Sequence, residues 1–199
     1  MRGILRDITA SYLEQKRMTR LALHDPLTGL PNRLLLHDHL QQAIIRAQRN
    51  GSKVALGFID LDRFKQINDT LGHQAGDVVL LTMSQRLQGA MREMDTLCRW
   101  GGDEFVALLP DAAQEADVRH IAMRLMEAGR QAMDVEGNEV LPTLSIGFAI
   151  YPDDASSAET LMTAADHTMF HAKRNGRNNV CFYRDVLPLV QLELRDHLV

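Results

Sequence analysis

Residues 97–109 read LCRWGGDEFVALL. Two strand-like runs, Leu97–Trp100 and Glu104–Leu109, flank Gly101-Gly102-Asp103. Glycines at a tight reversal between such runs signal a β-hairpin. Around this hairpin the chain alternates helical and strand patterns. A helix spans Leu34 to Arg49 and stops at Asn50-Gly51. KVALGFID, Lys53 to Asp60, reads as a mostly buried strand. A polar loop from Asn68 to Gly76 leads into a helix from Asp77 to Gly89. Beyond the hairpin the pattern gives a helix over Ala113–Met133 and a strand over Leu141–Ile150. A helix over Ser157–Asn175 and a strand over Asn179–Tyr183 follow. Alternation interrupted by a hairpin predicts an α+β fold with a mixed or antiparallel sheet, not a doubly wound parallel one.

The ends differ from the middle. Asp7 to Leu23 reads as a helix, and HDPLTGLPNR, His24 to Arg33, is a turn-rich loop that marks the clearest boundary in the chain. Val186 to Val199 regains helical periodicity. The expected organisation is a linker helix over 1–21, one domain over 22–185 and the start of a connecting helix over 186–199.

Composition removes several function classes. The 199 residues hold 22 Lys+Arg against 26 Asp+Glu, a net charge of −4. Such a chain is poorly suited to gripping duplex DNA through its phosphates, so no nucleic-acid partner is expected. Two cysteines, Cys98 and Cys181, cannot form a disulfide framework and fit a reducing compartment. No apolar run approaches the roughly 18 residues of a membrane span. The domain itself is therefore expected in the cytoplasm and not inserted in a bilayer, whatever anchors a longer parent protein.

Two segments carry chemistry. Phe58-Ile59-Asp60-Leu61-Asp62 is an apolar strand ending in carboxylates beside a helix N-terminus, whose free N–H groups suit a phosphate. A hard divalent ion would sit between Asp60 and phosphate oxygens. Asp62 reads as the N-cap of the helix beginning at RFKQIN. The second segment is the hairpin turn, with Asp103 and Glu104. Either segment alone is adequately explained as a cap or a solvated tip. Two strand-end acids in one sheet, however, are the minimum for metal-assisted phosphoryl or nucleotidyl transfer.

With these segments in view, the chain resembles the GGDEF domains, the diguanylate cyclases. The resemblance rests on DPLTGLPNR, FIDLDRFKQINDTLGHQAGD (Phe58 to Asp77), Gly101-Gly102-Asp103-Glu104-Phe105, LSIGFA (Leu144 to Ala149) and AKRNGRN (Ala172 to Asn178), in that order and over roughly residues 22 to 183. It implies a palm-like, mostly antiparallel central sheet surrounded by helices, with the hairpin carrying the signature. It also implies condensation of two GTP into cyclic di-GMP and two pyrophosphates. Asp60 and Asp103 match the metal ligands, assisted by the carbonyl of Leu61; Asp103 stands where some members carry Glu. Two Mg²⁺ or Mn²⁺ ions per site are implied. Asp103, Glu104 or a metal-held hydroxide would take the 3′-hydroxyl proton. Asn68 and Asp77 match the guanine-reading pair, and a carboxylate suits the two adjacent donors on guanine's edge. Phe64, Lys65, Lys173 and Arg177 fall at nucleotide-binding positions, the three basic residues as phosphate ligands.

Arg92-Glu93-Met94-Asp95 matches the family's RxxD product site at its fixed offset before the hairpin. Arg124 is the expected third member, with Arg119 the fallback. One guanine pocket per chain implies that a homodimer is needed for turnover. Gly3 to Arg17 resembles the end of a PAS sensor domain, and Val186 to Val199 the helix leading into an EAL phosphodiesterase domain. The rival reading is a GTP-binding allosteric module that regulates such a neighbour. A product-binding receptor is a third. His167 and His171, four apart on a helix, lack a third ligand and are read as structural. The methionines around Met123–Met133 are read as core filling and Trp100 as packing.

Overall fold

The computed structural model describes residues 14, 16–18, 20–112 and 114–187. Most of the expected linker helix and of the expected C-terminal helix lies outside them, although the described residues of 14–23 and residues 183–187 are helical.

Helix α1 spans Arg33–Asn50. The Asn32 side chain caps it by accepting from the N–H groups of Leu34 and Leu35, and Gly51, at φ 67°, closes it. Strand β1, Lys53–Leu61, follows. Next come α2, Phe64–Leu71, and α3, His73–Gly89. The hairpin is β2, Thr96–Gly101, and β3, Glu104–Ala112. Then follow α4, Glu115–Gly129, a small hairpin of β4, Met133–Val135, and β5, Asn138–Val140, and β6, Leu144–Tyr151. Helix α5, Ala158–Arg174, and β7, Asn179–Phe182, complete the set.

The five-stranded sheet has the order β2-β3-β1-β6-β7. Every pairing is antiparallel except β6 with β7, which meets the α+β expectation. Strand β1 is central, so both of its faces are covered and it reads as a continuous apolar run. Ala55, Ile59 and Leu61 pack with α3 and α4, while Val54, Leu56 and Phe58 pack with α1 and α5. By the same alternation Asp60 points to the α1/α5 side. Strand β3 repeats the division, with Phe105 and Ala107 on the first side and Val106 and Leu108 on the second. Glu104 therefore shares a face with Asp60.

Gly147 lets α5 lie directly on that face. A Cβ there would come within 2.0 Å of the Met169 nitrogen and 2.6 Å of the Ala165 carbonyl oxygen. This close seating carries the end of α5 to the end of β1.

Three local expectations are corrected. Asn68–Gly76 is not a loop: α2 runs to Leu71, Gly72 turns the chain at φ 88°, and α3 begins at His73. The polar residues there lie along helices instead of between them. The helix expected over Ala113–Met133 ends at Gly129, and Met133 opens the small β4–β5 hairpin. Met126 and Met133 are buried as expected, but Met123 is 58% exposed and fills no core. Trp100 packs edge-on against Phe58, its ring centroid 5.6 Å away.

Candidate active site

Asp60 and Glu104 are direct cross-strand partners in the β1–β3 ladder. One residue on, the Leu61 N–H donates to the Asp103 carbonyl oxygen at 3.3 Å. The carboxylates expected to act together thus come from two adjacent strand ends. Like charges directly opposite each other in a sheet repel. Burial pushes the Asp60 carboxyl above its ordinary range, and Asp103 and Asp62 add to the rise. Glu104 is raised too, first by burial, then by Asp60, Asp166 and Asp103. The opposing cation is Lys173, at the end of α5, which donates to Asp60 Oδ2 at 2.5 Å.

Hard carboxylate oxygens with a backbone carbonyl nearby suit Mg²⁺ or Mn²⁺, and Asp60 already holds a cation in the Lys173 ammonium. Among the described residues, no three acidic, histidine or cysteine side chains are grouped so as to hold a metal ion as they stand.

The turn between the hairpin strands is fixed from outside. Gly102 has φ 52°, and its carbonyl accepts from Arg99 Nε at 3.1 Å and Nη2 at 2.8 Å. The same guanidinium reaches Asp25 with Nη1, at 3.1 and 3.2 Å. Burial alone would raise Asp25. The Thr28 hydroxyl and N–H, with Arg99, outweigh it and hold that carboxyl below its ordinary range. The turn-rich loop is therefore bolted to the hairpin tip, a connection that the sequence reading missed. No local signal marks a pair 74 residues apart.

Asp62 is not a helix cap. The residue at the cap position is Arg63, at φ 59° and with no side-chain cap bond. Asp62 is 6% exposed. It accepts from Thr143 Oγ1 at 2.8 Å, Ser145 Oγ at 2.6 Å and the Asn178 N–H at 2.9 Å. It joins the end of β1 to the start of β6 and to the turn after α5.

The expected guanine-reading pair lies where α2 crosses α3. The Asn68 side chain rests on Gly76, beside Asp77: a Cβ on Gly76 would come 1.9 Å from Asn68 Oδ1. Phe64 is buried, and its Cζ would lie 3.1 Å from the same added Cβ. Lys65 and Asp77 are exposed. Arg177, at φ 60°, is exposed in the turn after α5. It lines a cavity of about 660 Å³ whose α2 wall is the Gln66, Ile67 and Thr70 face. Asn68 and Phe64 occupy another face of α2, so this cavity does not enclose the expected base-reading pair.

The RxxD residues also converge. The Arg92 N–H donates to Asp95 Oδ2 at 2.8 Å. Burial raises the Asp95 carboxyl, against that bond and the charges of Arg92 and Arg124. Of the two α4 arginines, Arg124 is the one whose charge acts on Asp95. Arg119, the fallback, is engaged elsewhere: it donates to Glu115 and Asp185 and lies 4.1 Å from the Phe182 ring centroid. His171 is buried and contacts the Asn175 amide.

The family model for the diguanylate cyclase GGDEF domain matches residues 22–179. MucR of Pseudomonas aeruginosa, a bifunctional diguanylate cyclase/cyclic di-GMP phosphodiesterase, is 44% identical over 84% of the chain. The diguanylate cyclase TpbB of the same species is 40% identical over 83%. The chain spans 24% of MucR and 38% of TpbB, well short of either protein's length. A solved structure comprising only the GGDEF domain of TpbB superposes with a TM-score of 0.81 at 39% identity, covering 85% of this chain and 99% of that one.

Proposed function

The chain belongs to the diguanylate cyclase GGDEF family, and we propose that it condenses two GTP molecules into cyclic di-GMP, releasing two pyrophosphates. The observation that carries this reading is the strand register: Asp60 opposite Glu104, with Asp103 bonded through its carbonyl to the next residue of β1. In this reading Asp60, Asp103 and the Leu61 carbonyl hold the divalent cation, two per site. Held by these groups, a divalent cation would supply acidification of the ribose 3′-hydroxyl and charge neutralisation of the departing pyrophosphate. Asn68 and Asp77 select guanine, because adenine would leave the Asp77 carboxylate without its donors. Lys65, Lys173 and Arg177, with the backbone at Phe64, take the phosphates. Glu104, raised by burial, is the side chain best poised to accept the hydroxyl proton.

One guanine-reading pair per chain supplies half of a two-nucleotide reaction. Two chains face each other about a two-fold axis, and their approach becomes part of the rate. Arg92, Asp95 and Arg124 bind product and slow the enzyme. The test is incubation with GTP and Mg²⁺ at several protein concentrations, with chromatographic detection of cyclic di-GMP. Product formed with a steep concentration dependence supports the reading. GTP binding without product, even in a chain dimerised by fusion, favours an allosteric module beside a phosphodiesterase domain, an arrangement in keeping with the bifunctional name of MucR.

A further inference from the structure

Lys173 stands in two places at once in this chemistry. Its sequence position gives it to the phosphates, yet in the structure it sits on a carboxylate assigned to the metal. The contact is short, 2.5 Å, and lopsided: the Asp60 side chain is 7% exposed and the Lys173 side chain 26%. Asp60 is fixed inside the central strand, whereas Lys173 ends a flexible stem at the last turn of a helix and can leave. Asp60, Glu104 and Asp166 are all stabilised in their charged forms by this one ammonium. Asp166, which the sequence reading passed over, lies seven residues before Lys173 on α5 and contributes to the negative field at Glu104.

We infer that Lys173 is a resident counter-ion that a divalent cation must displace from Asp60, and that the nucleotide's phosphates receive it. The inference rests on the cyclase reading of the site. A metal at Asp60 needs the oxygen lone pairs that the ammonium now uses, at about 2.0–2.1 Å for Mg²⁺. It also meets a positive charge within a few ångströms. Metal alone therefore binds weakly. A triphosphate draws Lys173 away, frees Asp60 and supplies further oxygens to the ion. By linkage, metal at Asp60 releases Lys173 and raises nucleotide affinity by the same factor. One side chain thus makes the site accept both ligands together. It also offsets the charge of Asp60, Glu104 and Asp166 when neither is present.

The test measures Mn²⁺ binding without nucleotide, from the loss of the free-ion paramagnetic resonance signal, on the full 199-residue chain. Lys173→Met is expected to tighten Mn²⁺ binding on the order of tenfold, inside the usual range for linked sites. Lys173→Arg, which keeps the charge, should stay near wild type, and Asp60→Asn added to Lys173→Met should abolish the gain. A lysine acting only on phosphate leaves metal affinity unchanged, and that result overturns the inference. The wild-type protein gives a second reading that needs no variant. The Lys173 ¹⁵Nζ resonance should stay put when Mg²⁺ alone is added, and shift when a non-hydrolysable GTP analogue follows. A shift with Mg²⁺ alone at low concentration would also overturn it. Failure on these counts with GTP turnover intact removes the counter-ion role alone. Failure to bind GTP or form cyclic di-GMP removes the cyclase reading.

Discussion

Replacing Gly76 with alanine should separate stability from nucleotide recognition. Gly76 lies inside α3, where alanine is favoured over glycine by about 0.5–1 kcal/mol. The new Cβ would fall 1.9 Å from Asn68 Oδ1, 3.0 Å from its Cγ and 3.1 Å from Phe64 Cζ. Phe64 needs to give by a few tenths of an ångström, which offsets the helical gain. Asn68 must move altogether, and its half-exposed side chain is free to swing outward. Net stability should change by no more than about 1 kcal/mol, roughly 2–4 °C in Tm for a chain of this size. Recognition should suffer more. An Asn68 carried off the base leaves one polar group of guanine unpaired, about 1.4–2.8 kcal/mol or roughly 10- to 100-fold in affinity. Calorimetric titration with a non-hydrolysable GTP analogue reads the affinity, and thermal unfolding reads the fold. Binding within twofold of wild type in a folded variant would show that Asn68 does not read the base.

Asp60→Ala or Asp103→Ala should lower cyclic di-GMP formation at least about a thousandfold, the scale of a lost metal or charge-stabilising group, with the circular dichroism spectrum unchanged; turnover above a few per cent would refute the metal assignment. Arg92→Ala should relieve product inhibition and leave the initial rate near wild type, so inhibition of unaltered strength would move the product site elsewhere. Arg119→Ala should leave inhibition intact, because its guanidinium is bound to Glu115 and Asp185. The Asp25 carboxyl lies below its ordinary value of 3.8 in the folded chain. A depressed acid contributes stability that is present above its unfolded pKa and lost as pH falls through the folded one. Asp25→Asn should therefore cost stability at pH 7 but little near pH 2, flattening the acid limb of a denaturation-against-pH curve; parallel curves would refute the pairing.

The fold was legible wherever one face of an element had to be buried. Leu36, Leu40, Ala43, Ile44 and Ala47 mark the inner face of α1 at helical spacing, and the two runs around Gly101-Gly102 could be little but a hairpin. The acids were legible because strand ends put them at one edge. What escaped was decided by distant partners. Asp62 looked like a cap because it stands before a helix, but its ligands are 81, 83 and 116 residues away. The Asn68–Gly76 stretch looked like a loop because its polar residues carry no apolar stripe, yet Phe64, Ile67 and Leu71 pack one short helix against the core. Lys173 was placed by motif at the phosphates; only the seating of α5 on Gly147 showed it could reach Asp60.

On the cyclase reading, the two aspartates flanking Leu61 divide their labour: Asp60 serves the reaction, and Asp62 is masonry. If that reading holds, a descendant that gave up catalysis would have no reason to keep Asp60, but losing Asp62 would unfasten three walls at once. In ageing, silent copies the second aspartate should therefore outlast the first, and a surviving Asp62 attests to an upright building rather than a working one.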